Sequence, residues 1–271
     1  GVLYFKKMSY VGPVELVIHR GIWTSLILLF TISIWSRWNY FFEILRNKKN
    51  LFILLISSLL IFINWFVWIY AVVTNNLIDA SFGYYIFPIL SVFFGYLFFK
   101  EKLNITRFIS IFLVLVSIIY LLATLNKIPW IGLSVAFTWS TYNLLRKKIN
   151  VQTDIGLFFE TLFITPICLI LYFFIIKNGF NDFSFTNPTI MILLFVAGPM
   201  TLIPLYLYVR GVELAGLGPA GMIFFITPTF QFLLGIFYYN ELFSINKLIA
   251  FVLIWIAVCI YMFDLARISK N

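Results

Sequence analysis

Nine stretches of the chain, at 14–35, 51–73, 79–99, 106–125, 129–145, 156–176, 189–209, 218–239 and 247–264, carry almost no charge. Each is about 20 residues long, the length an α-helix needs to cross a hydrocarbon core of roughly 30 Å. A backbone in lipid must satisfy its own hydrogen bonds, so such stretches fold as helices. Alternation over ~10-residue segments, the signature of a membrane barrel, is absent. The expected fold class is therefore all-α, a polytopic membrane helical bundle. Composition agrees, with 63% hydrophobic and 11% charged residues against about 25% charge in soluble domains. The net charge of +9 gathers in short loops and reads as topology, with no nucleic-acid partner expected. Cys168 and Cys259 fall inside apolar stretches, where thiols behave as small hydrophobes and neither a disulfide nor a metal site is expected.

A second pattern divides the chain. Pro88-x6-Gly95-x5-Glu101 returns as Pro228-x6-Gly235-x5-Glu241, 140 residues later. Two copies of one unit follow, at 1–125 and 126–271. The same offset places Leu145-Arg146-Lys147 on Phe5-Lys6-Lys7, so a counterpart of the span at 129–145 is expected upstream of residue 5. The architecture would then be five spans plus five, with nine present here. Five is odd, so the copies have opposite topology, the arrangement of inverted-repeat transporters. Charge gives an orientation. The segments 36–50, 100–107, 146–155, 210–217 and 265–271 hold 13 Lys and Arg, and those between the other span ends hold 5. The richer side is cytoplasmic, and the C-terminus lies there.

Several segments together carry a family pattern. They are Glu15-Leu-Val-Ile-His-Arg20 with Ile22-Trp23, Asn64-Trp65 with Ala71-Val72, and Asp79-Ala-Ser-Phe-Gly-Tyr-Tyr85 with Pro88. Leu145-Arg-Lys-Lys-Ile149, Glu160-Thr161 and Pro228-Thr229 with Glu241 complete the set. On these residues the chain resembles the ten-span drug/metabolite transporter superfamily, the EamA-type permeases, and within them the RarD-like subfamily. The resemblance implies a secondary carrier of small solutes in a bacterial cytoplasmic membrane. Asp79 stands where relatives often carry Glu.

Ionisable and amide side chains inside spans mark candidate solute contacts, because hydrocarbon makes them costly. Glu15 and His19 share one helix face, and Arg20 beside them is suited to an anionic group such as a carboxylate. The alternative for Arg20 is to extend to the membrane surface, since it lies only about 9 Å into its helix. His19, the single histidine, is the first candidate for a coupled proton. Glu160, among Phe158, Phe159, Leu162 and Phe163, reads either as a cavity carboxylate or as a buried interhelical hydrogen bond. With a five-residue insertion it would be the counterpart of Glu15. Asn64, Asn143 and Gln231 are buried amides in need of partners. Trp68, Tyr85 and Trp139 would supply aromatic walls able to take apolar or cationic solutes. Pro88 and Pro228 free backbone carbonyls and suit hinges. Gly95 and Gly235 suit close helix approach, as does the small-residue run 215–221. Glu101 and Glu241 suit helix caps.

The leading reading is a secondary transporter with a cavity between the inverted halves, rocking about kinks at Pro88 and Pro228. Its partners would be the lipid bilayer and a small-molecule substrate, with a coupled proton or ion; no cofactor is expected. An intramembrane lipid-modifying enzyme is the first alternative, weakened because one histidine and no HExxH leave little for metal chemistry. A passive channel is the second, and no filter loop or charged ring supports it.

Overall fold

The computed structural model describes residues 1–99, 104–125, 128–215, 224 and 226–268. Among them the chain forms eleven helices and no strand. They are α1 (Val2–Lys7), α2 (Pro13–Ile34), α3 (Trp38–Arg46), α4 (Lys48–Val73), α5 (Leu77–Phe99), α6 (Ile105–Leu125), α7 (Trp130–Lys148), α8 (Thr153–Lys177), α9 (Pro188–Ala215), α10 (Ile226–Phe237) and α11 (Ile245–Ile268). The protein is an all-α membrane bundle.

Local chemistry sets the helix ends. Pro13 opens α2 after an extended Gly12, where the missing N–H costs nothing. Arg146, Lys147 and Lys148 close α7 against the negative end of its dipole. Gly179, at φ +71°, turns the chain after α8, a left-handed conformation that glycine adopts without strain. The starts of α2 and α8, of α4 and α9, and of α6 and α11 each stand 140 residues apart.

Six helices among the described residues are long and apolar enough to cross a membrane: α2, α4, α6, α8, α9 and α11. The other three expected spans coincide with α5, α7 and α10. Three basic residues end α7, and the described apolar stretches of α5 and α10 are Leu77–Leu90 and Thr227–Phe237. The segment 36–50, read from sequence as a loop, holds α3. Its aromatic side packs on α8, with Phe41 stacked on Phe159 at 4.6 Å and 5°. Large apolar side chains such as Phe30, Phe112, Phe173 and Phe263 remain exposed, as a lipid-facing surface requires.

The chain divides into two compact units, one of Gly1–Val73 with Leu145–Leu214, the other of Thr74–Leu144 with Ala215–Asn271. Each takes helices from both halves of the sequence. In the first unit α2 packs on α8, and α4 on both. The interior holds Phe5, Leu16, Ile18, Leu54, Ile61 and Phe159. Gly198 lets α9 reach α2, where a Cβ would stand 2.6 Å from Trp23 Cβ.

In the second unit α6 packs on α11 and α5 on α10. Its core gathers Ile78, Phe82, Tyr85, Val114, Phe232 and Phe251, with Phe232 and Phe251 rings 4.7 Å apart. Gly235 brings α10 onto α5; a Cβ there would stand 2.7 Å from Ile78 Cγ1. The Glu241 carboxylate accepts the N–H groups of Leu77 at 2.7 Å and Ile78 at 2.9 Å. It therefore caps α5, a helix 160-odd residues earlier, instead of the helix that follows it. Asp79, in the same first turn, pairs with Lys247 at 2.6 Å. Burial, the larger influence, pushes the Glu241 carboxyl above its ordinary value, and the two N–H groups pull it back. Glu241→Ala is expected to cost about 0.5–2 kcal/mol, the usual loss of a helix cap. Glu241→Gln, which keeps one acceptor, is expected to cost less. Thermal unfolding in detergent ranks the two, and equal midpoints would remove the capping role.

Candidate functional site

Arg20 is the centre of the site in the first unit. It is the eighth residue of α2, a predominantly apolar helix. Its Cζ lies 4.6 Å from the ring of Trp65, 5.5 Å from Phe5 and 5.6 Å from Trp68. Trp65 and Trp68 come from one face of α4 and Phe5 from α1. Such a box holds a cation by ring quadrupoles, worth up to about 2 kcal/mol per desolvated contact. The box also contains an unused donor. Trp68 is 8% exposed, and its Nε1 donates to nothing among the described residues. The indole N–H is a donor only, so a group entering this box must supply its acceptor.

Glu15, about one turn before Arg20 on α2, and His19, next to Arg20, are occupied otherwise. Both Glu15 oxygens accept the Asp182 N–H at 3.0 Å, and Oε1 also accepts that of Phe183 at 3.1 Å. The carboxylate thus fastens the loop between α8 and α9. Burial and the nearby Glu15 push the Asp182 carboxyl above its ordinary value. His19 stacks on Phe183 at 4.9 Å, and its Nδ1 accepts Trp23 Nε1 at 3.2 Å. Its Nε2 faces Glu15 Oε1 at 3.7 Å, beyond hydrogen-bond reach.

Glu160 occupies the second turn of α8, 1% exposed. Ser57 Oγ donates to its Oε1 at 2.8 Å, and Arg146 Nε stands 3.7 Å from the same oxygen. Because α2 starts at Pro13 and α8 at Thr153, Glu160 matches Arg20 and not Glu15, and the five-residue insertion falls away. Asn64 is buried on α4.

The other sequence candidates lie in the second unit. Tyr85 shares a 2.7 Å hydrogen bond with Thr229. Trp139 stacks on Tyr142 at 5.4 Å and on Phe224 at 6.2 Å. Asn143 Nδ2 donates to the Trp139 carbonyl one turn back, at 2.8 Å. Gln231 is buried, and its Oε1 accepts nothing among the described residues. Pro88 lies inside α5, which continues past it to Phe99 and includes Gly95. Pro228 is the third residue of α10. Glu101 and positions 216–221 lie outside the described residues.

Sequence reasoning missed Ser57, and it used Arg146 for topology, repeat and family pattern but not as a site residue. The basic run Arg146-Lys147-Lys148 hid a buried residue among exposed ones, and only the glycine at 156 hinted at the space it fills.

Long apolar helices with ionisable groups buried inside them define a multi-pass membrane protein. Comparison with known proteins agrees. The profile of the EamA-like transporter family matches residues 1–123 and again 127–263, and the chain belongs to that family. It is 31% identical to Protein RarD of Escherichia coli strain K12 over 96% of this chain and 88% of that one. It is 34% identical to the uncharacterized transporter YojE of Bacillus subtilis strain 168, over 97% and 88%. The chloramphenicol-sensitive protein RarD of Pseudomonas aeruginosa is 21% identical over 99% and 90%. The fold also matches a crystal structure of a protein 17% identical, with a TM-score of 0.59 over 98% of this chain and 95% of the other.

Proposed function

We propose that the protein is a secondary transporter that carries a small solute with an anionic group across a bacterial cytoplasmic membrane by alternating access. The observation that carries this reading is the aromatic box around Arg20, in which the indole N–H of Trp68 is buried without an acceptor. A guanidinium beside an indole N–H that lacks an acceptor favours a carboxylate or similar oxyanion, and Trp65 and Trp68 add a flat apolar surface for the rest of the solute. Alternating access rests on two inverted copies, 1–125 and 126–271. The repeated family profile and the 140-residue spacing of helix starts support them. Charge on the loops supports a cytoplasmic C-terminus. No covalent chemistry is assigned to the chain.

Reconstituted protein, loaded with unlabelled solute, should accumulate labelled solute by counterflow. The panel spans aromatic and aliphatic carboxylates, amines and chloramphenicol, the last because one relative carries it in its name. Saturable uptake of a carboxylate supports the reading. Uptake that never saturates would sink alternating access, and uptake confined to amines would sink the anion assignment.

A further inference from the structure

In the first unit a second guanidinium is withdrawn from the surface. Arg146, in the last turn of α7, has a side chain 9% exposed, and its Nε stands 3.7 Å from Glu160 Oε1. That distance is beyond a hydrogen bond. Nε and Nη1 are both buried and donate to nothing among the described residues. The space they occupy is made by Gly156 on α8, where a Cβ would lie 2.6 Å from Arg146 Cζ. The carboxylate that faces the group is Glu160, and Ser57 Oγ donates to the same Oε1 at 2.8 Å. The other acid of this region, Asp154, is already paired with Arg37. Lys147 and Lys148 are exposed.

A guanidinium in a dry interior requires acceptors in its own plane. Here it lies against bare backbone on one side and a carboxylate out of bonding range on the other. We propose that Arg146 is an anion-binding residue, taking a carboxylate or phosphate oxyanion of a ligand, and that Glu160 is its internal competitor. A proton from water on the Glu160 carboxylate removes the competing charge, and the ligand's oxyanion then takes both free N–H groups of Arg146. One proton and one anion enter together, so the charge of the cluster is unchanged. Occupancy of the site is thereby tied to proton uptake. The idea depends on the transporter reading only for the opening that admits the ligand; binding is measured apart from flux.

The test uses the whole chain in neutral-detergent micelles at constant ionic strength, titrated with sodium benzoate and, separately, with phosphatidylglycerol. The thermal midpoint reports binding at about pH 5 and about pH 8. The apparent affinity is expected to be about tenfold tighter at the lower pH. Glu160→Gln should bind tightly at both. Arg146→Gln should lose the pH-dependent part of the response, leaving only what the box around Arg20 binds; should it fail to fold, Arg146→Lys, which keeps the charge and loses the planar fork, should weaken that part. Arg20→Gln should retain the pH dependence, which separates this site from the box on α2. A response to benzoate identifies a soluble ligand, and a response to phosphatidylglycerol alone identifies a lipid phosphate. An unchanged response in the Arg146 variants overturns the proposal, as does a persisting pH dependence in Glu160→Gln or no response to either probe.

Discussion

Arg20→Gln is expected to lower the affinity for the transported solute by about 10- to 100-fold, the loss of one charged hydrogen-bonded contact at roughly 1.5–3 kcal/mol. The loss should appear in KM and in ligand-induced stabilisation, because the contact binds solute in the ground state. Stability should change far less. Removing the guanidinium gives up its ring contacts to Trp65, Phe5 and Trp68, and it also removes the cost of keeping a charge out of water, so the two partly cancel. Arg20→Lys sharpens the test. An ammonium keeps the charge and cannot present a flat face to an indole or a paired fork to a carboxylate, so it should fall between wild type and Gln. Trp68→Phe keeps the wall and deletes the donor that lacks an acceptor, and should cost about tenfold in affinity. Counterflow kinetics with proteoliposomes read all three. A KM for Arg20→Gln equal to wild type would show that the box is packing alone.

The sequence makes some of this legible and hides the rest for physical reasons. Span lengths are readable because hydrocarbon thickness imposes them. The 140-residue spacing is readable because an inserted residue would rotate every helix face relative to its partner. Arg20 and Glu160 are readable because a charge in an apolar run is rare. What each charge touches is not. Glu15 stands one turn from Arg20 on the same helix, yet its acceptors are filled by backbone N–H groups of a loop 167 residues away. Glu241 ends one helix in the sequence and caps another in space. The segment holding α3 reads as a loop because it is short and basic at its ends, although its aromatic residues fit a helix that lies against α8. Each of these depends on long-range contacts that no local spacing encodes.

One close helix contact in the second unit belongs to two glycines that no sequence pattern joins. Gly83 on α5 and Gly132 on α7 face each other so closely that a Cβ on Gly83 would collide with the Gly132 carbonyl oxygen and stand 2.9 Å from Val135 Cβ. A Cβ on Gly132 would stand 2.8 Å from the Asp79 carbonyl oxygen and 2.9 Å from Phe82 Cδ1. The obstacles are largely backbone, which cannot rotate away as a side chain tip can. Membrane helices associate through such small-residue contacts because lipid supplies no hydrophobic drive between them. Gly83→Ala is therefore expected to cost about 3 kcal/mol, the upper range for overpacking, and Gly83→Val to abolish folded protein. Gly132→Ala should cost nearly as much. The double change should cost less than the two added, since once α5 and α7 have moved apart the second methyl meets open space. Gly211→Ala on α9 is the control. Nothing among the described residues lies within 4 Å of a Cβ there, so the substitution should change stability by no more than about 1 kcal/mol. Thermal midpoints of the purified variants decide the matter. Gly83→Ala with a midpoint like that of Gly211→Ala would mean that α5 and α7 do not meet at these glycines, and strictly additive losses would mean that the two methyl groups act at separate contacts.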